Sequence, residues 1–262
     1  MTEALQIGNR TIAASELIPL LASYQMLPQL QRELIIDEAI EQSSRSGNVT
    51  IEYTPEEIAQ AQQQFYAEKQ LKSEADIQAW MVYQGLTPNQ LENVTTRKLK
   101  IEKFKQATWG NKLESYFFQC KGKLDKVIYS LLRTQDVGIA QELYFRIQAE
   151  EKSFAEVARE FSLGPEAQTG GLVGPVELNA LHPTMVQMLH SSQPGQILPP
   201  TRIAEWFVIL RLEKFIPAQL DESMKVRLLN ELFEMWLQEQ QRQIVSVSND
   251  ADEGDEEQGK NN

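Results

Sequence analysis

Ser153-Phe-Ala-Glu-Val-Ala-Arg-Glu-Phe-Ser-Leu-Gly-Pro-Glu-Ala-Gln-Thr-Gly-Gly-Leu-Val-Gly174 is the stretch whose reading decides the fold. Ser153 followed by Glu156 is a capping box, so a helix starts there and turns Phe154, Val157, Ala158 and Phe161 to one buried face. The helix must stop near Gly164-Pro165. The Gly170-Gly171 pair then permits backbone angles closed to residues with a Cβ and lets another segment of backbone come close.

Outward from this stretch the hydrophobic period changes. Upstream, Val127-Ile128-Tyr129-Ser130-Leu131-Leu132 reads as a buried strand. Gln135 to Ala149 reads as a helix with Ile139, Ala140, Leu143 and Ile147 inward. Downstream, a short helix begins near Pro183, Gln193-Pro194-Gly195-Gln196 forms a turn, and Ile197-Leu198 with Trp206 to Leu212 supply further strands. Residues 126–215 are thus expected to form a small antiparallel sheet with flanking helices.

The segments on either side read as helices. Leu5 to Ile12 around Gly8-Asn9 suggests a tiny hairpin, with Ser15 capping the helix after it. Leu27 to Ile40 places Leu30, Leu34 and Ile35 on one stripe, and the polar run Gln42 to Asn48 reads as a loop. Thr54-Pro55-Glu56-Glu57 and Thr87-Pro88-Asn89-Gln90 are both helix starts of the capping-box type, and Ser73 to Gln84 is a shorter helix between them. A long helix through Leu91, Val94, Ile101 and Phe104 continues to Cys120, kinked near Trp109-Gly110. After Pro217, Asp221 or Ser223 caps a last helix whose Met224, Leu228, Leu232, Met235 and Trp236 recur at helical spacing. One helix cannot bury such a stripe alone. The expected organisation is therefore α+β: a helical lobe over 1–120, an inserted sheet domain over 126–215, a helix over 219–245 returning onto the first lobe, and a disordered acidic tail over 249–262.

Composition excludes several functions. The 262 residues, 42% hydrophobic, can bury a core shared between two lobes. A net charge of -12 argues against nucleic acid, which needs a basic surface to neutralise phosphates. The stretch Arg97 to Lys126 is locally basic, and reads either as a site for an acidic partner or as a solvated helix face. Cys120 is the single cysteine and His182 and His190 the two histidines, so neither a disulfide framework nor a metal centre is expected, and no cofactor. With no basic start followed by an apolar run, the reading gives no signal peptide, no membrane span and a cytoplasmic location.

The stretch first quoted resembles the parvulin family of peptidyl-prolyl isomerases. The family's helix reads roughly Phe-x-x-hydrophobic-Ala-x-x-x-Ser, matched by Phe154, Val157, Ala158 and Ser162, and its Gly-Gly-Asp-Leu-Gly turn is matched in its glycines by Gly170 to Gly174. The resemblance spans Lys126 to about Phe215. The helices before Lys121 resemble in pattern those of SurA-type chaperones. The family's Met-x-Pro-x-Phe pattern, which grips a proline ring, corresponds to Leu181-His182-Pro183-Thr184-Met185. The resemblance therefore implies Leu181 and Met185 as proline-binding residues, with Gly164 and Leu172 beside them. Ordinary packing of a short helix is the other reading of that pair. By the same resemblance the two family histidines fall at Ser130 and Phe207, the positions implied for the catalytic floor, and the family's Cys or Asp falls at Gly164. His182 is then either a replacement donor or an exposed loop residue.

Isomerising an X-Pro bond requires lowering a rotational barrier of roughly 18 to 20 kcal/mol, which needs no nucleophile and no metal. It needs an apolar niche for the ring and surroundings that favour the twisted amide. The expected function is a peptidyl-prolyl cis-trans isomerase acting on unfolded or extended proline-containing polypeptides. The alternative is a non-catalytic chaperone or client-binding adaptor that hands substrates to a protein export system.

Overall fold

The structure, a computed structural model, describes residues 4–46 and 51–258. The chain is mostly helical with one four-stranded antiparallel sheet and a separate two-stranded one. It divides into two compact units, residues 1–113 with 225–262 and residues 114–224.

In the first unit the hairpin β1 (Ala4–Ile7) and β2 (Arg10–Ala13) leads into α1 (Ala14–Ser23) and α2 (Leu27–Ser46). Ala13, not Ser15, is the residue before the first turn of α1, and no side chain caps it. Helix α2 runs through the expected polar loop as far as Ser46; Glu38–Gln42 and Glu41–Arg45 pairs one turn apart support it there. The remainder of that loop call, residues 47 and 48, lies outside the described residues. Helices α3 (Pro55–Glu68), α4 (Glu74–Gln84) and α5 (Pro88–Trp109) each begin with a reciprocal capping box, at Thr54, Ser73 and Thr87. The turn at Gly110–Lys112 then interrupts the long helix before α6 (Leu113–Leu124).

Helix α10 (Glu222–Gln258), capped by Asp221, completes this unit with Leu228, Leu229, Phe233 and Leu237 buried. The stripe is rotated from the expected one: Met235 is exposed and Phe233 takes the inner place. Phe104, Trp109, Phe233 and Trp236 meet edge-on or tilted, with centroids 5.6–6.5 Å apart. Residues 249–258, read from composition as disordered, are helical in the structure. Once a helix is nucleated each further residue adds a hydrogen bond at little cost, and this stretch holds no proline. Residues 259–262 lie outside the described residues.

Much of the basic stretch is neutralised within the chain. Arg97 pairs with Glu33 at 2.7 Å and with Asp37, Lys103 with Glu57 at 2.5 Å, Lys98 with Glu68 at 3.3 Å, and Lys105 with Glu102 at 2.8 Å. An acidic client would have to compete with these contacts. Among the described residues no helix is long and apolar enough to cross a membrane.

In the second unit β3 (Lys126–Thr134) is central, with the sheet in the order β4 (Leu172–Glu177), β3, β6 (Trp206–Ile216), β5 (Thr201–Ile203). Helices α7 (Val137–Gln148) and α8 (Phe154–Phe161) pack Leu143, Ile147, Phe154, Val157 and Ala158 against Leu132 and Ile209. Ile139, expected inward, is exposed. The short helix α9 (Pro183–His190) packs with the alternate residues Val127, Tyr129, Leu131, Val208, Leu210 and Leu212. Side chains alternate across a strand, so these two sets are the two faces of the sheet. Strands β4 and β5 are additions to the expected order, and Ile197 contributes a single bridge to Arg211 in place of a strand. Asp125 closes the base: its carboxylate accepts from Ala218 N–H at 2.7 Å and its carbonyl from Leu178 N–H at 2.9 Å.

Candidate functional site: an apolar sheet face beside an ion pair

The α9 face of the sheet carries the features that could hold a peptide. Leu181 and Met185 are half-buried and pack on the cluster of Tyr129, Leu131, Val208 and Leu210, together with Val173 and Trp206. They are not sealed beneath other side chains. His182 precedes the helix, and its Nδ1 accepts from Thr184 N–H at 3.2 Å. It caps α9 and is solvent-exposed.

Ser130 and Phe207 are elsewhere. Ser130 is 3% exposed and its hydroxyl donates to Glu213, which also accepts from Arg211 Nε at 2.7 Å. The Arg211 guanidinium lies 5.1 Å from the centre of the Phe154 ring, so this polar group belongs to the α8 side. Phe207 lies opposite Thr134 and alternates with Val208, which sets it on the same side as Ile209. Leu172 lies opposite Ser130 on β4 and is 51% exposed. The structure therefore brings Leu181 and Met185 together, but does not bring Ser130, Phe207 or Leu172 to them. The residue of β3 that packs in one cluster with Leu181 and Met185 is Tyr129, one position earlier, and it is 4% exposed. A shift of one residue exchanges the faces of a strand, and a β-bulge at Ile128/Tyr129 makes that register hard to read by matching. The alternation Val127, Tyr129, Leu131, Arg133 was the available signal.

Next to Tyr129 stands a polar group that the pattern match did not contain. Arg133 donates from Nε and Nη2 to the two oxygens of Glu166 at 2.8 and 2.7 Å, and the Ser162 hydroxyl donates to Glu166 at 2.6 Å. Glu166 is buried in the turn Pro165–Thr169. Burial pushes its carboxyl up, but the Arg133 guanidinium and the Ser162 hydroxyl outweigh this and hold it below the usual carboxylate range. The other side of Arg133 faces the Trp206 ring, 5.8 Å from its centre. Burial raises the Tyr129 phenol above its ordinary value, with smaller opposing influences from Arg133 and Glu166. It is therefore a protonated hydroxyl at neutral pH.

This ion pair explains the glycine at 164. A Cβ there would stand 2.2 Å from Glu166 Oε2 and 2.4 Å from Arg133 Nε. Both atoms belong to a bidentate, largely buried pair, so they cannot swing aside cheaply. Gly164→Ala is expected to lower the stability of this unit by about 1–3 kcal/mol, as overpacking does. Urea unfolding checks this, and Glu166→Ala in the same chain should recover part of the loss from the clash. Among the described residues no three His, Cys, Asp or Glu side chains come together to hold a metal ion.

The second unit is thus a four-stranded antiparallel sheet with α7 and α8 on one face and α9 on the other. Residues 133–214 match the rotamase family model, a PPIC-type PPIASE domain. Among solved structures the chain is similar to the peptidylprolyl isomerase PrsA of Bacillus cereus, at 17% identity and a TM-score of 0.48, covering 90% of this chain and 86% of that one. It is also similar to PrsA of Bacillus anthracis, at 16% identity and a TM-score of 0.39, covering 79% and 89%. A third likeness is to one of the structurally related SurA-like chaperones of Campylobacter jejuni, the virulence factor PEB4 and the periplasmic protein Cj1289, at 14% identity and a TM-score of 0.38, covering 94% and 96%. No curated protein matches.

Proposed function

We propose that the second unit is a peptidyl-prolyl cis-trans isomerase that acts on extended, proline-containing polypeptides without covalent chemistry. The observation that carries this reading is the half-exposed pair Leu181 and Met185 on the same sheet face as Tyr129 and Trp206. The pair offers an apolar seat for a proline ring. The Tyr129 hydroxyl and the Arg133–Glu166 pair give that seat a polar end, where a twisted amide can be favoured over a planar one. Ser130 and Phe207 support the strands from behind in this reading. A protease-coupled isomerisation assay with peptides differing in the residue before proline tests it. Rates above background are expected, and Tyr129→Phe should lower kcat/KM by about 10²-fold, the cost of losing one preorganised donor.

The second reading is a client-binding adaptor that keeps the fold and not the rate enhancement. What favours it is Gly164: the position implied for a Cys or Asp has no side chain, and an internal ion pair fills the space. Peptide binding at Leu181 and Met185 with no isomerisation above background would select this reading over the first.

A further inference from the structure

The first unit contains a groove that the proline site does not use. It has a volume of about 1070 Å³ and is bordered by Leu34, Ile35 and Glu38 of α2 and floored by Phe104 of α5 and Trp236 of α10. Its lining on α2 runs from Gln31 to Ser43, about 20 Å of helix at roughly 1.5 Å per residue. Leu34 is 57% exposed, and Leu30 and Met26, one and two turns before it, are exposed as well. Of the stripe expected to be inward on α2, Leu30 and Leu34 are thus open to solvent, and Leu34 lines the groove with the half-buried Ile35. Its length and its spacing of four match the anchors by which an amphipathic helix docks.

The rim is acidic. Asp37, Glu38 and Glu41 all line the groove, and no Lys or Arg is among the described side chains that line it. Asp37 is satisfied by Arg97, and Glu41 holds Arg45 in an exposed pair one turn apart, a kind of contact that is weak and easily exchanged. Glu38 accepts from the uncharged Gln42 amide at 2.8 Å. A chain of net charge -12 adds a long-range field of the same sign. A second copy of this chain would bring like charge to the rim, and several cations of its most basic helix are engaged by its own carboxylates.

We infer that this groove is a second polypeptide site, and that its occupant is a helical client segment with an apolar face flanked by Lys or Arg. The apolar side lies along Leu34, Ile35, Phe104 and Trp236, and the cations reach Glu38 and Glu41. The site shares no residue with the proposed proline seat at Leu181 and Met185, so either can fail without the other.

Fluorescence anisotropy with a labelled amphipathic peptide of about 16 residues, Leu on one face and Lys on the other, tests this on the full chain. A peptide with Glu for each Lys is the control. The Lys peptide is expected to bind at least about tenfold more tightly, and to weaken as salt rises from about 50 to about 300 mM. Glu38→Lys with Glu41→Lys should weaken it about tenfold, and Leu34→Ser, at an exposed position, several-fold. Met185→Asp should leave it unchanged. Equal binding of the two peptides, or a Kd within about twofold in the charge-reversed variant with unchanged circular dichroism, overturns the inference. Sedimentation showing a dimer that Leu34→Ser dissolves also overturns it, since the occupant is then a second copy.

Discussion

Met185→Asp is expected to abolish binding of proline-containing peptides to the second unit, with no measurable affinity in calorimetry, while circular dichroism retains the full helical signal. Met185 is half-buried on the cluster of Leu131, Val208 and Leu210. A carboxylate in its place would be desolvated as soon as a proline ring entered, and an ionised group loses several kcal/mol when it leaves water without a partner. In the free protein the same side chain can turn to solvent, so the fold should tolerate it. A peptide affinity within about threefold of the parent, less than 1 kcal/mol, would remove Met185 from the site.

Phe154→Ala is the other large effect. Its ring is 1% exposed among Leu132, Val157, Ala158 and Ile209, and the Arg211 guanidinium covers one face. The backbone at Gly171, with φ of +84°, runs so close that a Cβ there would stand 2.9 Å from the ring. Neighbours held this closely cannot collapse into the space, so the loss should be about 3–5 kcal/mol. Amide hydrogen exchange localises it: amides of β3 and β6 should lose protection while those of α5 keep theirs. Equal loss in both units would mean that Phe154 supports more than its own sheet.

Much of this architecture is legible in the sequence because it is written locally. The capping boxes at Thr54, Thr87 and Ser153 form as their residues dictate, and Pro183 opens the short helix. What the sequence hides is set by partners distant along the chain. The inner stripe of α10 is decided by an aromatic cluster with α5, which puts Phe233 inside and Met235 outside. Strand β5, three residues long, exists through its pairing with β6 and carries no periodicity of its own. The candidate site suffers most from this. Matching residue types one by one selected Ser130, whereas the face of a strand follows from the register of its neighbours, and by that register Tyr129 is the residue that packs in one cluster with Leu181 and Met185. Glu166 was hidden for a related reason: its role needs Arg133, thirty-three positions away, and the vacancy at Gly164.

The carboxylate of Asp125 has one more implication. By holding Ala218 it brings the start and finish of the sheet module within a single hydrogen bond. A module whose two ends meet can be lifted out like a cartridge, because the gap left behind is short enough for a few linking residues. A brief Gly-Ser bridge from Leu124 to Gln219 would therefore span the opening that removal of the module leaves.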